Sequence, residues 1–150
     1  MRLLIQRVKH ASVAIGGDVR SRIGAGLLVL LGGGCDDTDE DSEYLAGKLV
    51  RLRIFDDEAG VMNLDVVQTG GEILVVSQFT LQASTRKGNR PSFTSATRPE
   101  TAIPLYEAFI ARCRESGLPV ETGEFGADMK VDLLNDGPVT LWVDTKALGK

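Results

Sequence analysis

The amino-acid sequence predicts one α/β domain, and three observations carry that expectation. Apolar runs rich in leucine, valine and isoleucine recur at residues 3–8, 24–31 and 73–81, each short enough to be a strand. Two other stretches space apolar side chains at the helical period, one through Leu45, Leu49 and Leu52, the other from Ala102 to Cys113. Strand and helix follow each other in mixed order, with no repeat, linker or low-complexity tract between them. At 150 residues, 43% apolar and 25% charged, residues 1–150 form a single domain with a core of its own.

Each element has a local reason. Residues 3–8 and 12–15 predict two strands, and Gly16-Gly17-Asp18 a hairpin turn after the second. Residues 24–31 read as a buried strand closed by Gly32-Gly33-Gly34. The acidic residues 36–41, with Thr38 among them, suit a helix N-terminus, where the dipole favours negative charge. Residues 56–60 predict a turn, and residues 73–81 the strongest strand. Residues 83–98 are polar apart from Phe93 and the alanines and predict a long loop, a feature that is often functional in a small domain. Ala102, Leu105, Tyr106, Phe109, Ile110 and Cys113 form a helical stripe that Gly117 ends. Pro104 places the start of regular helix close to itself, because proline is tolerated in a first turn. Strands near Val120, Val131 and Leu141 close the chain.

Composition narrows the function. The net charge of −4 means that nucleic-acid binding must use a local basic patch. Cys35 and Cys113 lie far apart and lack metal spacing, so free thiols, a reducing compartment and a cytoplasmic protein are expected. The single histidine, His10, reads as structural or surface. No HExxH, CxxC, GxSxG or phosphate-binding glycine loop is present. Chemistry without metal or other cofactor, and without imidazole, is therefore expected, with backbone amides, hydroxyls and the substrate itself as the available groups.

Four motifs remain. Ser77-Gln78-Phe79-Thr80-Leu81 puts three polar side chains at a strand end, where backbone N–H groups suit an oxyanion; a half-buried amphipathic strand end is the plain alternative. Arg86, Lys87 and Arg90 place three cations in five residues, either for phosphates or as a solvated loop. Phe125 and Met129, among small residues, read as a cradle for a flat base or as a core aromatic at a turn. Asn135-Asp136-Gly137-Pro138-Val139-Thr140 interrupts two apolar runs with a Gly-Pro pair that a strand interior should not hold. It reads either as a hairpin turn or as a rigid kink presenting its carbonyls.

These motifs, in this order and after Met1-Arg2-Leu3-Leu4-Ile5-Gln6-Arg7-Val8, closely resemble the D-aminoacyl-tRNA deacylase family over essentially the whole chain. Both family signatures, SQFTL and NxGPxT, are intact. The resemblance implies mixed β-sheets forming a barrel-like dimer interface, with two main helices packed outside. It implies a homodimer that hydrolyses the ester of D-aminoacyl-tRNA, and of glycine mischarged on tRNA, as a proofreading step. It further implies a cis Gly137-Pro138 bond whose carbonyls hold the substrate α-amino group in the partner's site and reject L side chains. On this reading Phe79 and Thr80 offer N–H groups to the oxyanion, Ser77 and Gln78 position ribose and carbonyl, and Phe125 and Met129 line the adenine pocket. Arg86, Lys87 and Arg90 are assigned to tRNA phosphates. Thr80 has no histidine to deprotonate it, so attack by water assisted by the adenosine 2′-OH is preferred. Two other classes stay open: a small-molecule esterase with Thr80 as nucleophile, and a non-catalytic nucleic-acid-binding module.

Overall fold

A computed structural model describes residues 1–149. Strand β1 (Arg2–Ile15) runs unbroken where two strands are predicted, because it has partners along its whole length. One edge pairs antiparallel with β3 (Gly26–Gly32) over residues 2–8, then with β2 (Asp18–Ile23) over residues 11–15. The Gly16-Gly17 turn joins β1 to β2 as expected, with both glycines at positive φ. The other edge of β1 pairs with the C-terminal strand.

Helix α1 (Asp39–Arg51) follows β3; the Thr38 N–H donates to the Asp41 carboxylate at 2.8 Å, closing the first turn. The predicted turn at residues 56–60 is the tip of a small hairpin of β4 (Phe55–Asp56) and β5 (Met62–Leu64). Strand β6 (Glu72–Ser77) lies parallel to β3, and β7 (Val120–Thr122) parallel to β6. Parallel neighbours need a crossover, and α1 and α2 (Pro99–Arg114) supply the two. Two predicted boundaries are corrected. The strongest strand stops at Ser77, and Phe79–Gln82 is a 3-10 turn, because the parallel partner β3 ends at Gly32 and its ladder with β6 closes at the Leu31 carbonyl. Helix α2 starts at Pro99, not at Pro104, which is accommodated inside it as an exposed residue.

The sheet has two cores. Leu3, Ile5, Leu27, Val29, Ile73 and Val75 pack against Leu45 and Leu49 of α1 and Phe109 and Cys113 of α2. Fully burying one such side chain contributes about 1.5–3 kcal/mol. On the other face Val8, Ala11, Val13, Ile23, Leu28, Leu74 and Val76 form a second cluster inside the curl of the sheet. The alternation of β1 breaks at Arg7 and Val8, both buried, and there the strand passes from the first core to the second. The curl nearly closes into a barrel: Ser21 on β2 hydrogen-bonds the Thr122 carbonyl on β7. The result is a mixed, barrel-like sheet with two helices on its outer face.

Strand β8 (Lys130–Asp144) rules out the hairpin reading of residues 135–140. The chain does not reverse. Asn135 lies opposite Val8 and Thr140 opposite Gln6, so five steps of β8 match two of β1. The surplus residues form a bulge within one continuous pairing, and the Gly137-Pro138 bond in it is cis. No described strand pairs with the outer edge of β8.

Candidate functional site

A cleft of about 590 Å³ opens where the C-terminal ends of β3 and β6 meet α2. One wall is the segment after β6. The Gln78 N–H still donates to the Leu31 carbonyl at 2.8 Å, as a continued strand would. The chain then turns into the 3-10 helix, whose first residues have no carbonyl one turn behind them. The N–H groups of Phe79 and Thr80 consequently have no backbone acceptor among the described residues. Three contacts hold the turn in place. Buried Gln82 donates from Nε2 to the Gly32 carbonyl at 2.9 Å, and Arg2 Nη1 donates to the Leu81 carbonyl at 2.8 Å. A Cβ at Gly32 would lie 2.8 Å from the Gln78 carbonyl, so only glycine lets the turn pack this closely on β3. Gln78 Nε2 donates to Thr80 Oγ, which leaves that hydroxyl's own proton free to donate.

The opposite wall is the 125–131 segment, with Phe125 and Met129 half-buried in the lining. The Tyr106 ring meets Phe125 edge-on at 5.9 Å between centroids and fixes its plane. Tyr106 donates its hydroxyl to the Val75 carbonyl at 3.2 Å, and burial pushes its pKa up to about 12. It is a neutral buttress at any ordinary pH.

Ser77, Gln78, Phe79, Phe125 and Met129 thus share one cleft. Thr80 is exposed beside it and is not part of the lining. Arg86, Lys87 and Arg90 are exposed on the loop beyond the rim. His10 is exposed on β1 opposite Leu134, outside the cleft lining. No cluster of three or more His, Cys, Asp or Glu side chains that could hold a metal ion occurs among the described residues.

Gly137 and Pro138 are absent from the cleft lining and lie exposed on the β8 bulge. Asn135 staples this bulge: its Oδ1 accepts from the Val139 N–H at 2.9 Å, and its Nδ2 donates to the Val139 carbonyl and to Thr140 Oγ1, each at 3.2 Å. Buried Arg7 holds it from below, donating from Nε to the Asp136 carbonyl at 3.0 Å and from Nη1 to the Ile54 carbonyl at 2.7 Å. The Asp136 carboxylate lies 3.5 Å from Arg7 Nε and 3.5 Å from Lys9 Nζ. Gly137 has φ +132°, where L side chains are strained; a Cβ there would lie 2.8 Å from Val139 Cγ2 and 3.1 Å from Arg7 Nη2. Sequence reasoning missed Arg7 and the stapling role of Asn135. A cation among the apolar residues of β1 was the available signal for the first.

Comparison with known proteins adds the following. A family model described as D-Tyr-tRNA(Tyr) deacylase matches residues 4–144. A protein of Parabacteroides distasonis called D-aminoacyl-tRNA deacylase is 61% identical over 150 residues, covering 97% of this chain and 98% of its own. One of the same name from Bacteroides thetaiotaomicron is 58% identical over 147 residues, with coverage of 97% and 98%. A solved structure described as c-Myc DNA Unwinding Element Binding Protein superposes with a TM-score of 0.90 at 42% identity, covering 96% of this chain and 98% of that one. Another, described as a probable eukaryotic D-amino acid tRNA deacylase, shares the fold at a TM-score of 0.79 and 20% identity, covering 95% of this chain and 97% of that one.

Proposed function

Because this chain belongs to the D-aminoacyl-tRNA deacylase family, we propose that its cleft takes the aminoacylated 3′-terminal adenosine of tRNA and that its β8 bulge supplies the chiral filter. The protein is a D-aminoacyl-tRNA deacylase, a hydrolase acting on the aminoacyl ester. The observation that carries the detailed reading is the pair of N–H groups on Phe79 and Thr80 without a backbone acceptor among the described residues, at a turn whose Phe79 lines the same cleft as Phe125 and Met129.

In this reading adenine lies between Phe125 and Met129, and Ser77 and Gln78 hold the ribose and the ester. Water attacks the carbonyl carbon, and the negative charge that develops on the carbonyl oxygen is met by the two N–H groups. The C–O3′ bond breaks, and the proton lost by water reaches the 3′ oxygen by way of the 2′-OH. Preorganised N–H donors need not reorient as charge develops, which is why such a site works without a nucleophilic side chain. Thr80 acts through its backbone.

The bulge acts on a second copy. Among the described residues no strand pairs with the outer edge of β8, which shows Val131, Leu134 and Trp142, the last two each 51% exposed. An open apolar edge of this length invites another strand, and pairing two copies there makes a homodimer. The exposed Gly137 and Pro138 carbonyls of one copy then face the cleft of the other and accept hydrogen bonds from the substrate ammonium group. An L side chain meets this wall, a D side chain points away from it, and glycine has none to exclude. Arg86, Lys87 and Arg90 meet phosphates outside the cleft.

The test is hydrolysis of D-Tyr-tRNA and L-Tyr-tRNA by the purified protein, with mass measured in solution. Release of D-tyrosine alone, by a dimer, is expected. Equal hydrolysis of both esters would sink the chiral filter, and an active monomer would sink the shared site.

A further inference from the structure

The rim of the cleft carries a feature that the hydrolysis itself does not use. Phe79 is 58% exposed and Phe93 is 37% exposed, and their rings meet at 5.2 Å between centroids with 72° between planes. Exposed aromatic pairs cost solvation, and an edge-to-face contact leaves flat ring surface uncovered. Phe93 is also held more firmly than its place in a long loop suggests. Ser84 and Ser92 exchange two backbone hydrogen bonds, at 2.8 and 2.9 Å, which close residues 85–91 into a finger. Beyond Phe93, the Cys35 N–H donates to the Ser95 carbonyl at 3.0 Å, and the Thr97 N–H donates to the Gly33 carbonyl at 3.1 Å. Phe93 therefore sits between two anchors, and its neighbour Phe79 lines the cleft.

The finger is cationic. Arg86, Lys87 and Arg90 lie on it and Arg98 just after it, and none forms an ion pair among the described residues, in a chain whose net charge is −4. A pinned, exposed aromatic pair between a base-sized cleft and a free basic finger matches what a single strand presents: a flat base every nucleotide and a phosphate between each.

We propose that Phe93, with Phe79 behind it, is a stacking platform for the penultimate base of the tRNA acceptor end, and that the basic finger neutralises the phosphates flanking that base. This rests on the assignment of the cleft to the terminal adenosine. The platform gives the enzyme affinity for an oligonucleotide over a mononucleoside ester without reading base identity, because every base has a π face.

Two measurements test it. The first compares hydrolysis of three substrates: the D-tyrosyl ester of adenosine, D-tyrosyl-CpA and D-Tyr-tRNA. In Phe93→Ala the KM for D-tyrosyl-CpA is expected to rise about tenfold relative to that for the adenosine ester, and Phe93→Trp to restore it, whereas Phe93→Leu does not. The second reads binding alone, in the unaltered protein. An oligonucleotide with 2-aminopurine at the penultimate position and a non-hydrolysable 3′-amide is expected to lose fluorescence on binding, and to keep it with Phe93→Leu. Absence of quenching, or an equal effect of the variants on the adenosine ester and the dinucleotide, overturns the platform. If the unaltered protein hydrolyses none of the three substrates, the assignment of the cleft fails instead.

Discussion

The 3-10 turn at Phe79–Gln82 and the bulge at residues 135–140 both present backbone polar groups, but they are built in opposite ways. The turn offers donors and is anchored within the chain by buried Gln82 on the Gly32 carbonyl and by half-buried Arg2 on the Leu81 carbonyl. It forms part of the cleft it serves. The bulge offers acceptors, is held by Asn135 and by buried Arg7, and stands clear of that cleft. The difference teaches that one segment is built into the cleft wall, whereas the other is held rigid on a strand away from it. On the proposed function, rate would rest with the turn and stereochemistry with the bulge.

The largest effect tests the turn. Phe79→Pro deletes one N–H at the first position of a 3-10 helix, where proline fits. It is expected to lower kcat by about 10²–10³-fold, with the fold retained. Steady-state kinetics beside a circular-dichroism melt checks this, and a loss below threefold would remove the oxyanion role.

Gly137→Ala comes next and tests the bulge. The forbidden φ and the contact with Val139 must shift the carbonyls, and misplacement of about 1 Å costs about 10²-fold. The loss is expected in hydrolysis of the D ester, with rejection of the L ester weakened. Mixing the two variants sharpens the comparison. A heterodimer of Phe79→Pro and Gly137→Ala subunits holds one intact turn facing one intact bulge, so activity returns if the bulge serves the partner's cleft. Co-expression with two affinity tags isolates that species, and no recovery would mean the bulge acts within its own chain.

The smallest effect concerns neither region and gives a baseline. Cys113 is buried against the helices and its thiol is pushed up to about 12 by burial, whereas Cys35 is exposed. A thiol reagent at neutral pH is expected to modify Cys35 at once and Cys113 only on unfolding. The folded pKa lies above the thiol's ordinary 9.0, so the folded state binds this proton more tightly. The stability from keeping it neutral is complete below that value and is lost as pH rises towards about 12, as it is for buried Tyr106. Thermal melts should hold up to about pH 9 and fall from there towards about pH 11.

Much of this was legible in the chain because its signals are local. Apolar runs, the Gly16-Gly17 turn and the stripe from Leu105 to Cys113 declare themselves within a few residues. The two cysteines, far apart, are free as expected. Failures came where a distant partner decides. Residues 9–11 look too polar for strand, yet β1 continues through them because β8 pairs alongside. Residues 78–81 read as the polar end of β6, but the parallel partner β3 ends at Gly32 and the ladder with it. Pro104 reads as a helix start, yet α2 packs through it on buried Leu105 and Tyr106.

The sequence by itself determined the fold class and the family, together with the identity of the groups in play: two signature motifs, no imidazole partner, a basic finger in an acidic chain. Only the tertiary structure decided that Gly137-Pro138 is a bulge in one long strand rather than a turn. It alone put Phe79 in the lining of a cleft that the bulge does not enter, and set Arg7 beneath that bulge. The physical reason is range. Helical period and turn chemistry act over a few residues, whereas the register of β8 on β1 joins residues some 130 positions apart, and nothing local in either segment specifies it.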